Sequence, residues 1–206
     1  MNPLYDPIAS FGTGPKPLKL VVAGPVGAGK TSFVRSLSET EVVGTDELAT
    51  EDIGKTFTTV AMDFGTLVLD GQPIFLFGTP GQDRFDFMWE VLCEGALGLV
   101  LLVAGDKPSE FSQARRILEF ITSRISVPFI VGVTRQDLPK VWSSEDVAEY
   151  FGLPTAQVVS LNATRSTSSI FTLIHLLELV GAYQLSESFV SSDAGLAEPQ
   201  NGFGQQ

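Results

Sequence analysis

Two hydrophobic periods alternate along the chain. Short apolar-rich runs of the kind buried strands give stand at 18–23, 97–104, 127–133 and 157–161. The run at 97–104 (LGLVLLVA) has no polar residue, as expected of a central parallel strand covered on both faces. Between these runs the spacing becomes helical. Phe33, Val34 and Leu37 share a face, and Phe111, Ala114, Ile117, Leu118 and Ile121 form one side of 109–124. A short helix with an acidic first turn is predicted at 144–151 and a last helix at 166–180. Residues 59–69 and 73–77 flank Asp70-Gly71, a two-residue hairpin signal. Phe85, Met88, Trp89 and Leu92 follow the spacing of a helix's core face and leave Phe87 and Val91 outside the stripe. The order β-α-β-β-α-β-α-β-α-β-α predicts an α/β fold: a six-stranded, mostly parallel sheet with one antiparallel hairpin strand and helices on both faces.

Composition narrows the function classes. Thirteen basic residues stand against 24 acidic ones, a net charge of −11, which argues against nonspecific binding to nucleic acid or anionic lipid. The single cysteine, Cys93, excludes an intramolecular disulfide and suits a reducing compartment, so a cytoplasmic location is expected. No uninterrupted run of about 18 apolar residues exists, and no transmembrane helix is expected. Residues 1–17, with four prolines, read as an irregular arm without the features of a secretory signal. Residues 18–183 read as the folded domain, and 184–206, Ser/Gly/Gln-rich, as a flexible tail. Asn2 excludes N-myristoylation and the absence of a C-terminal cysteine excludes prenylation, so no membrane anchor is expected.

Gly24 to Thr31 read G-P-V-G-A-G-K-T, which fits G-x-x-x-x-G-K-[ST] at every fixed position, with a strand before it and a helix after it. Small residues let successive backbone N–H groups turn inward around phosphate oxygens. The helix start adds unpaired N–H groups and a positive dipole end. Lys30 supplies a full charge for the outer phosphates, and the Thr31 hydroxyl is a natural Mg²⁺ ligand. Three more polar segments close predicted strands, at the edge where such sheets bind ligands: T-P-G-Q at 79–82, T-R-Q-D at 134–137 and N-A-T at 162–164.

These four motifs have the order and spacing of Ras-like small GTPases. T-T-V-A-M-D-F-G at 58–65 followed by F-G-T-P-G-Q-D-R-F at 77–85 resembles a bacterial branch. That branch includes the gliding-motility and cell-polarity GTPase and the G proteins of actinobacterial conservons. The resemblance, over residues 18–182, implies GTP/GDP and Mg²⁺ as ligands. It assigns the phosphate cradle to Gly24, Val26, Gly27, Ala28, Gly29, Lys30, Thr31 and Ser32. Thr59 aligns with the switch threonine that reaches Mg²⁺ in the triphosphate state, with Thr56 and Thr58 as near neighbours. Gly81 aligns with the glycine whose N–H senses the γ-phosphate, and Gln82 with the glutamine that orients the attacking water. Asn162, Ala163 and Thr164 form the second base-side segment, with Ala163 where a backbone N–H meets the guanine oxygen.

Base choice rests on Asp137, whose carboxylate can accept from guanine N1–H and the 2-amino group; adenine would leave it unpaired. Its alternative role is to cap a helix ahead of Leu138-Pro139. Thr134 and Arg135 replace the Asn-Lys of the family pattern. Thr is shorter than Asn, while Arg keeps a stem that packs and a plane that stacks.

Two departures bear on catalysis. Gly78 stands where the family carries the aspartate of D-x-x-G, and Val26 fills a position that is glycine in Ras. Both point to slow hydrolysis, and the alternative function is a nucleotide-loaded interaction module with little turnover. Arg84 is either a charge stabiliser in cis or a solvated residue. With Asp70 and Gly71 as the central turn residues, counting back along both strands sets Asp63 opposite Gly78. Asp63 then brings a carboxylate to the position of the missing metal acid; a one-residue shift of the turn would face it to solvent instead. The bacterial relatives imply a roadblock-type regulator, with regulator and effector contacts expected at residues 58–64 and 79–92.

Overall fold

The computed structural model describes residues 15–44, 62–81 and 86–193, with side chains in the last stretch described for 88–185. Thr56, Thr58, Thr59, Gln82, Arg84 and Phe85 lie outside the described residues, as does the side chain of Phe87.

Seven strands form one sheet: β1 (Leu18–Ala23), β2 (Val43–Gly44), β3 (Asp63–Leu69), β4 (Gln72–Gly78), β5 (Gly98–Ala104), β6 (Phe129–Thr134) and β7 (Val158–Ser160), in the order β2-β3-β4-β1-β5-β6-β7. The six expected strands are present, and β2 adds a two-residue edge. β1, β4, β5, β6 and β7 run parallel, and β3 lies antiparallel to β4. The turn at Asp70-Gly71 has positive φ at both residues, 50° and 79°. That geometry matches the twist of the strands it joins, and it fixes the pairing of Leu69 with Gln72 and of Asp63 with Gly78.

Among the described residues the α-helices are α1 (Lys30–Leu37), α2 (Asp86–Cys93), α3 (Phe111–Thr122), α4 (Ser144–Phe151) and α5 (Ser166–Asp193). Side chains of β1 and β5 alternate between the two faces. Val21, Ala23, Leu99, Leu101 and Val103 meet Trp89, Phe111, Ile117 and Phe151 of α2, α3 and α4. Leu20, Val22, Val100 and Leu102 meet Phe33, Val34, Leu173 and Leu176 of α1 and α5. Each fully buried large side chain contributes roughly 1.5–3 kcal/mol. Cys93 is buried, and burial pushes its thiol up to about 11.

One expectation needs correction. The predicted last helix ends at 180 and the tail begins at 184, yet α5 continues to Asp193. No Gly or Pro interrupts 184–193, and the first glycine beyond is Gly195. Averaged over a window, the stretch Ser166–Leu185 reaches a mean hydropathy of 1.3, which by length and composition is enough to cross a membrane. In the fold its Ser169, Thr172, Leu173, Leu176 and Val180 are buried, while Phe171 is 73% exposed.

Candidate functional site

The loop after β1 carries left-handed backbone at Gly27 (φ 77°) and Gly29 (φ 103°), which turns successive N–H groups toward one side. Gly29 is the N-cap of α1, so the loop ends on the unpaired N–H groups of a helix start. Lys30 Nζ donates to Gly24 O at 2.8 Å and to Pro25 O at 2.7 Å. Two of its three N–H bonds are thus used by the loop, and one remains. Burial lowers Lys30 from 10.5 to about 8, opposed by the charges of Asp63 and Glu110.

The P-loop opens into a cavity of about 500 Å³. Gly27, Gly29, Lys30, Thr31 and Ser32 of the loop line it, together with Thr134, Arg135, Asp137 and Leu138 after β6 and Asn162, Ala163 and Thr164 after β7. Three distant motifs therefore meet at the ends of β1, β6 and β7. Thr134 is buried, and its hydroxyl lies 2.9 Å from Ala28 O and 3.1 Å from Val103 O, so it bonds the P-loop as the longer Asn was expected to do. Arg135 takes a left-handed backbone (φ 62°); its guanidinium donates to Gly27 O at 2.9 Å and pairs with Asp106 at 2.7 Å. Asp137 is exposed on the cavity wall, and its carboxylate has no hydrogen-bond partner among the described residues. No helix starts after it, so the capping alternative is not used; residues 136–140 form turns. Asn162 Oδ1 accepts from Thr164 N and Oγ1, which locks that loop.

At the opposite end, Asp63 faces Gly78 across the hairpin. A Cβ on Gly78 would stand 3.0 Å from Asp63 Cβ and 3.1 Å from its Oδ2, so glycine leaves the room this carboxylate uses. Thr31 Oγ1 donates to Asp63 Oδ2 at 2.7 Å. A hydroxyl and a carboxylate oxygen at the mouth of a phosphate loop are the donor types a hard divalent cation takes.

Three placements depart from simple motif geometry. Val26 does not line the cavity; it is 55% exposed. Gly81 lies directly against the P-loop instead of beyond an open space. Lys107 brings a further cation: a Cβ on Gly27 would be 3.3 Å from its Nζ, and Glu110 pairs with it at 3.3 Å. Asp106, Lys107, Glu110 and Gln113 were not singled out from the sequence. The available signal was the polar G-D-K that ends the all-apolar run of β5, at the ligand-binding edge. Thr79 Oγ1 and Glu110 Oε2 are buried without a hydrogen-bond partner among the described residues. Such an unmet group costs about 1–3 kcal/mol.

The family model described as "Conserved hypothetical ATP binding protein" matches residues 40–193, from just before β2 to the end of α5, and so begins after the P-loop. An uncharacterized protein of Methanocaldococcus jannaschii is 30% identical over 131 residues, covering 62% of this chain and 76% of that protein. The Ras and EF-hand domain-containing protein of Xenopus tropicalis is 27% identical over 146 residues, 68% of this chain and 19% of that protein. Its Mus musculus homolog is 27% identical over 149 residues, with 68% and 22% covered. The chain thus spans about a fifth of these two larger proteins.

Proposed function

The chain belongs to that conserved nucleotide-binding family, and from this premise we propose that it is a guanine-nucleotide-binding regulatory switch with slow, Mg²⁺-dependent GTP hydrolysis. The observation that carries this is the cavity that joins the P-loop to Asp137 and to Asn162–Thr164. In this reading the loop N–H groups and Lys30 hold the phosphates. Arg135 packs its stem on the purine while its guanidinium ties the base side to Gly27. Asp137 accepts from guanine, which explains a carboxylate on the cavity wall with no partner among the described residues. Ala163 offers its backbone N–H to the guanine oxygen.

Thr31 and Asp63 would hold Mg²⁺, joined by Thr59 when a triphosphate is bound; the ion would neutralise charge on the outer phosphates. Gln82 orients the attacking water. A protein partner would speed the slow reaction; the family and the relatives named above do not support the bacterial branch from which a roadblock-type partner was expected. Residues 58–64 and 79–92 are the proposed regulator and effector surface; Val91, 65% exposed on α2, suits it. The cytoplasm is the proposed location, which a single buried thiol suits.

Two alternatives have an observation each. The family's description names ATP. The packing of Gly81 on the P-loop favours a nucleotide-loaded interaction module that hardly turns over. One experiment separates all three: nucleotide is extracted from purified protein and chromatographed, then GTP and ATP hydrolysis is timed for wild type and Gln82→Leu. Guanine nucleotide in the extract, GTP turnover and a slower Gln82→Leu variant are expected. Adenine nucleotide overturns the base assignment, absence of turnover leaves the interaction module, and equal rates remove Gln82.

A further inference from the structure

Lys30, Arg135 and Lys107 each bring a cation to the phosphate loop. The first two are tied to it: Lys30 donates to Gly24 O and Pro25 O, and Arg135 to Gly27 O. Lys107 donates to no loop carbonyl. Its ammonium has one partner among the described residues, Glu110 Oε1 at 3.3 Å. An ammonium carries three N–H bonds, so two are left over. Glu110 is half-used as well, because its Oε2 is buried without a hydrogen-bond partner among the described residues. The two side chains are 38% and 30% exposed, and an ion pair so open to water holds its members weakly.

The chain fixes where this pair stands. Lys107 leads into a 3-10 turn, Pro108–Glu110, that runs on into α3. Pro108 locks the backbone directly after Lys107, and the buried Phe111 anchors the start of the helix. In a 3-10 turn the side chains at i and i+3 stand over one another, which sets Glu110 beside Lys107. The ammonium meets the loop at Gly27, where a Cβ would lie 3.3 Å from Nζ. Gly27 lines the cavity and has no side chain to stand between the cavity and the ammonium. The flexible four-carbon stem of a lysine can carry its charge past such a position with the backbone unmoved.

We propose that Lys107 is a second phosphate-binding cation: in the free protein Glu110 holds it beside Gly27, and when a polyphosphate enters the loop it leaves Glu110 and pairs with the phosphate chain. This rests on the nucleotide reading above and not on the choice of base, on Mg²⁺ or on hydrolysis. The exchange replaces one carboxylate by a more highly charged group of oxygens, with no proton moved and no covalent bond changed. Glu110 competes with the ligand for the same ammonium, so the two members of the pair act on affinity with opposite signs.

The test is calorimetric titration of GDP, ADP and inorganic pyrophosphate, a probe without a base, into wild type, Lys107→Ala, Lys107→Arg and Glu110→Gln. It is run at about pH 7, where Lys30, which loses its proton at about 8, is still charged. Lys107→Ala is expected to weaken pyrophosphate and the nucleotide that wild type binds about tenfold, the worth of one charge-assisted hydrogen bond. Lys107→Arg keeps the charge and the reach and should stay within about threefold of wild type. Glu110→Gln removes the competitor and should tighten both ligands about two- to threefold. An ion pair that only supports the fold is lost alike in Lys107→Ala and Glu110→Gln, so equal losses in the two overturn the proposal. Unchanged affinity in Lys107→Ala, or no tightening in Glu110→Gln, overturns it too and leaves the nucleotide reading standing. A loss confined to the nucleotide, with pyrophosphate unaffected, overturns the contact with phosphate. Wild type that binds none of the three ligands overturns the nucleotide reading and the second cation together. Binding of ADP in place of GDP overturns the base assignment, and the second cation is then read from ADP and pyrophosphate.

Discussion

On the base side of the cavity, Thr134, Arg135 and Asn162 are each tied by hydrogen bonds to the P-loop, to β5 or to their own loop. On the outer-phosphate side, a backbone segment rests against the donors it would have to vacate, and two buried side-chain oxygens have no partner among the described residues. The first region is pre-organised, so little ordering is needed when a ligand arrives. The second holds a compromise that a ligand can tip.

The largest way to break this contrast is Lys30→Ala, because Lys30 is bonded to the P-loop carbonyls and stands beside the Gly81 backbone, where even an added methyl would not fit. Its loss should weaken both di- and triphosphate binding by at least about a hundredfold, on the order of 3 kcal/mol. Submicromolar affinity retained in isothermal titration would refute the P-loop assignment.

Asp137→Asn tests the base side alone. GTP affinity should fall about ten- to a hundredfold, or about 1.4–2.8 kcal/mol, and xanthosine triphosphate, whose 2-oxo group wants a donor, should gain. If the GTP and XTP affinities each stay within about twofold of wild type, a difference below about 0.5 kcal/mol, Asp137 does not read the base.

How much of this was legible before the fold was known differs by region for physical reasons. With Asp70 and Gly71 as the central turn residues, counting sets Asp63 opposite Gly78, but a one-residue shift stayed open in the chain and it is the turn geometry that closes it. The bounds of α4 were legible because both caps are written locally. Ser143 Oγ accepts from Asp146 N at 3.1 Å, Asp146 Oδ2 accepts from Ser143 N at 3.0 Å, and Gly152 ends the helix at φ 66°. The extension of α5 was not legible, because Ser and Glu suit a solvated helix and a tail equally. Nor was the bond from Gln113 Nε2 to Gly81 O, which spans 32 positions, since nothing local marks a glutamine for a distant carbonyl.

Asp63→Asn probes the other end of the site, where Asp63 meets Thr31. Asn can still accept from Thr31 Oγ1, so the fold should be kept. Losing the charge should raise the Mg²⁺ concentration that half-slows nucleotide release about tenfold, the scale on which metal sites lose affinity when one carboxylate contribution is weakened. Superimposable magnesium titrations for the two proteins would remove Asp63 from the metal site.

The smallest effect is protonic, and it comes from the same lysine. Buried among loop carbonyls, free Lys30 loses its proton near pH 8, with burial the main cause and Asp63 and Glu110 opposing it. Phosphate oxygens favour the charged ammonium, so binding raises its pKa. Above about pH 8 the free protein is deprotonated at Lys30 and the complex is not, so binding takes up a proton and affinity falls as pH rises. Between about pH 7 and 8.5 the loss should be about fourfold, with most of it above pH 8. Titration calorimetry at about pH 8.5 in buffers of different ionisation enthalpy measures the proton directly. Net uptake is expected with GDP and with GppNHp alike. Flat affinity across this range with no proton taken up would mean that Lys30 is already charged in the free protein. The outer-phosphate side would then be as pre-organised as the base side.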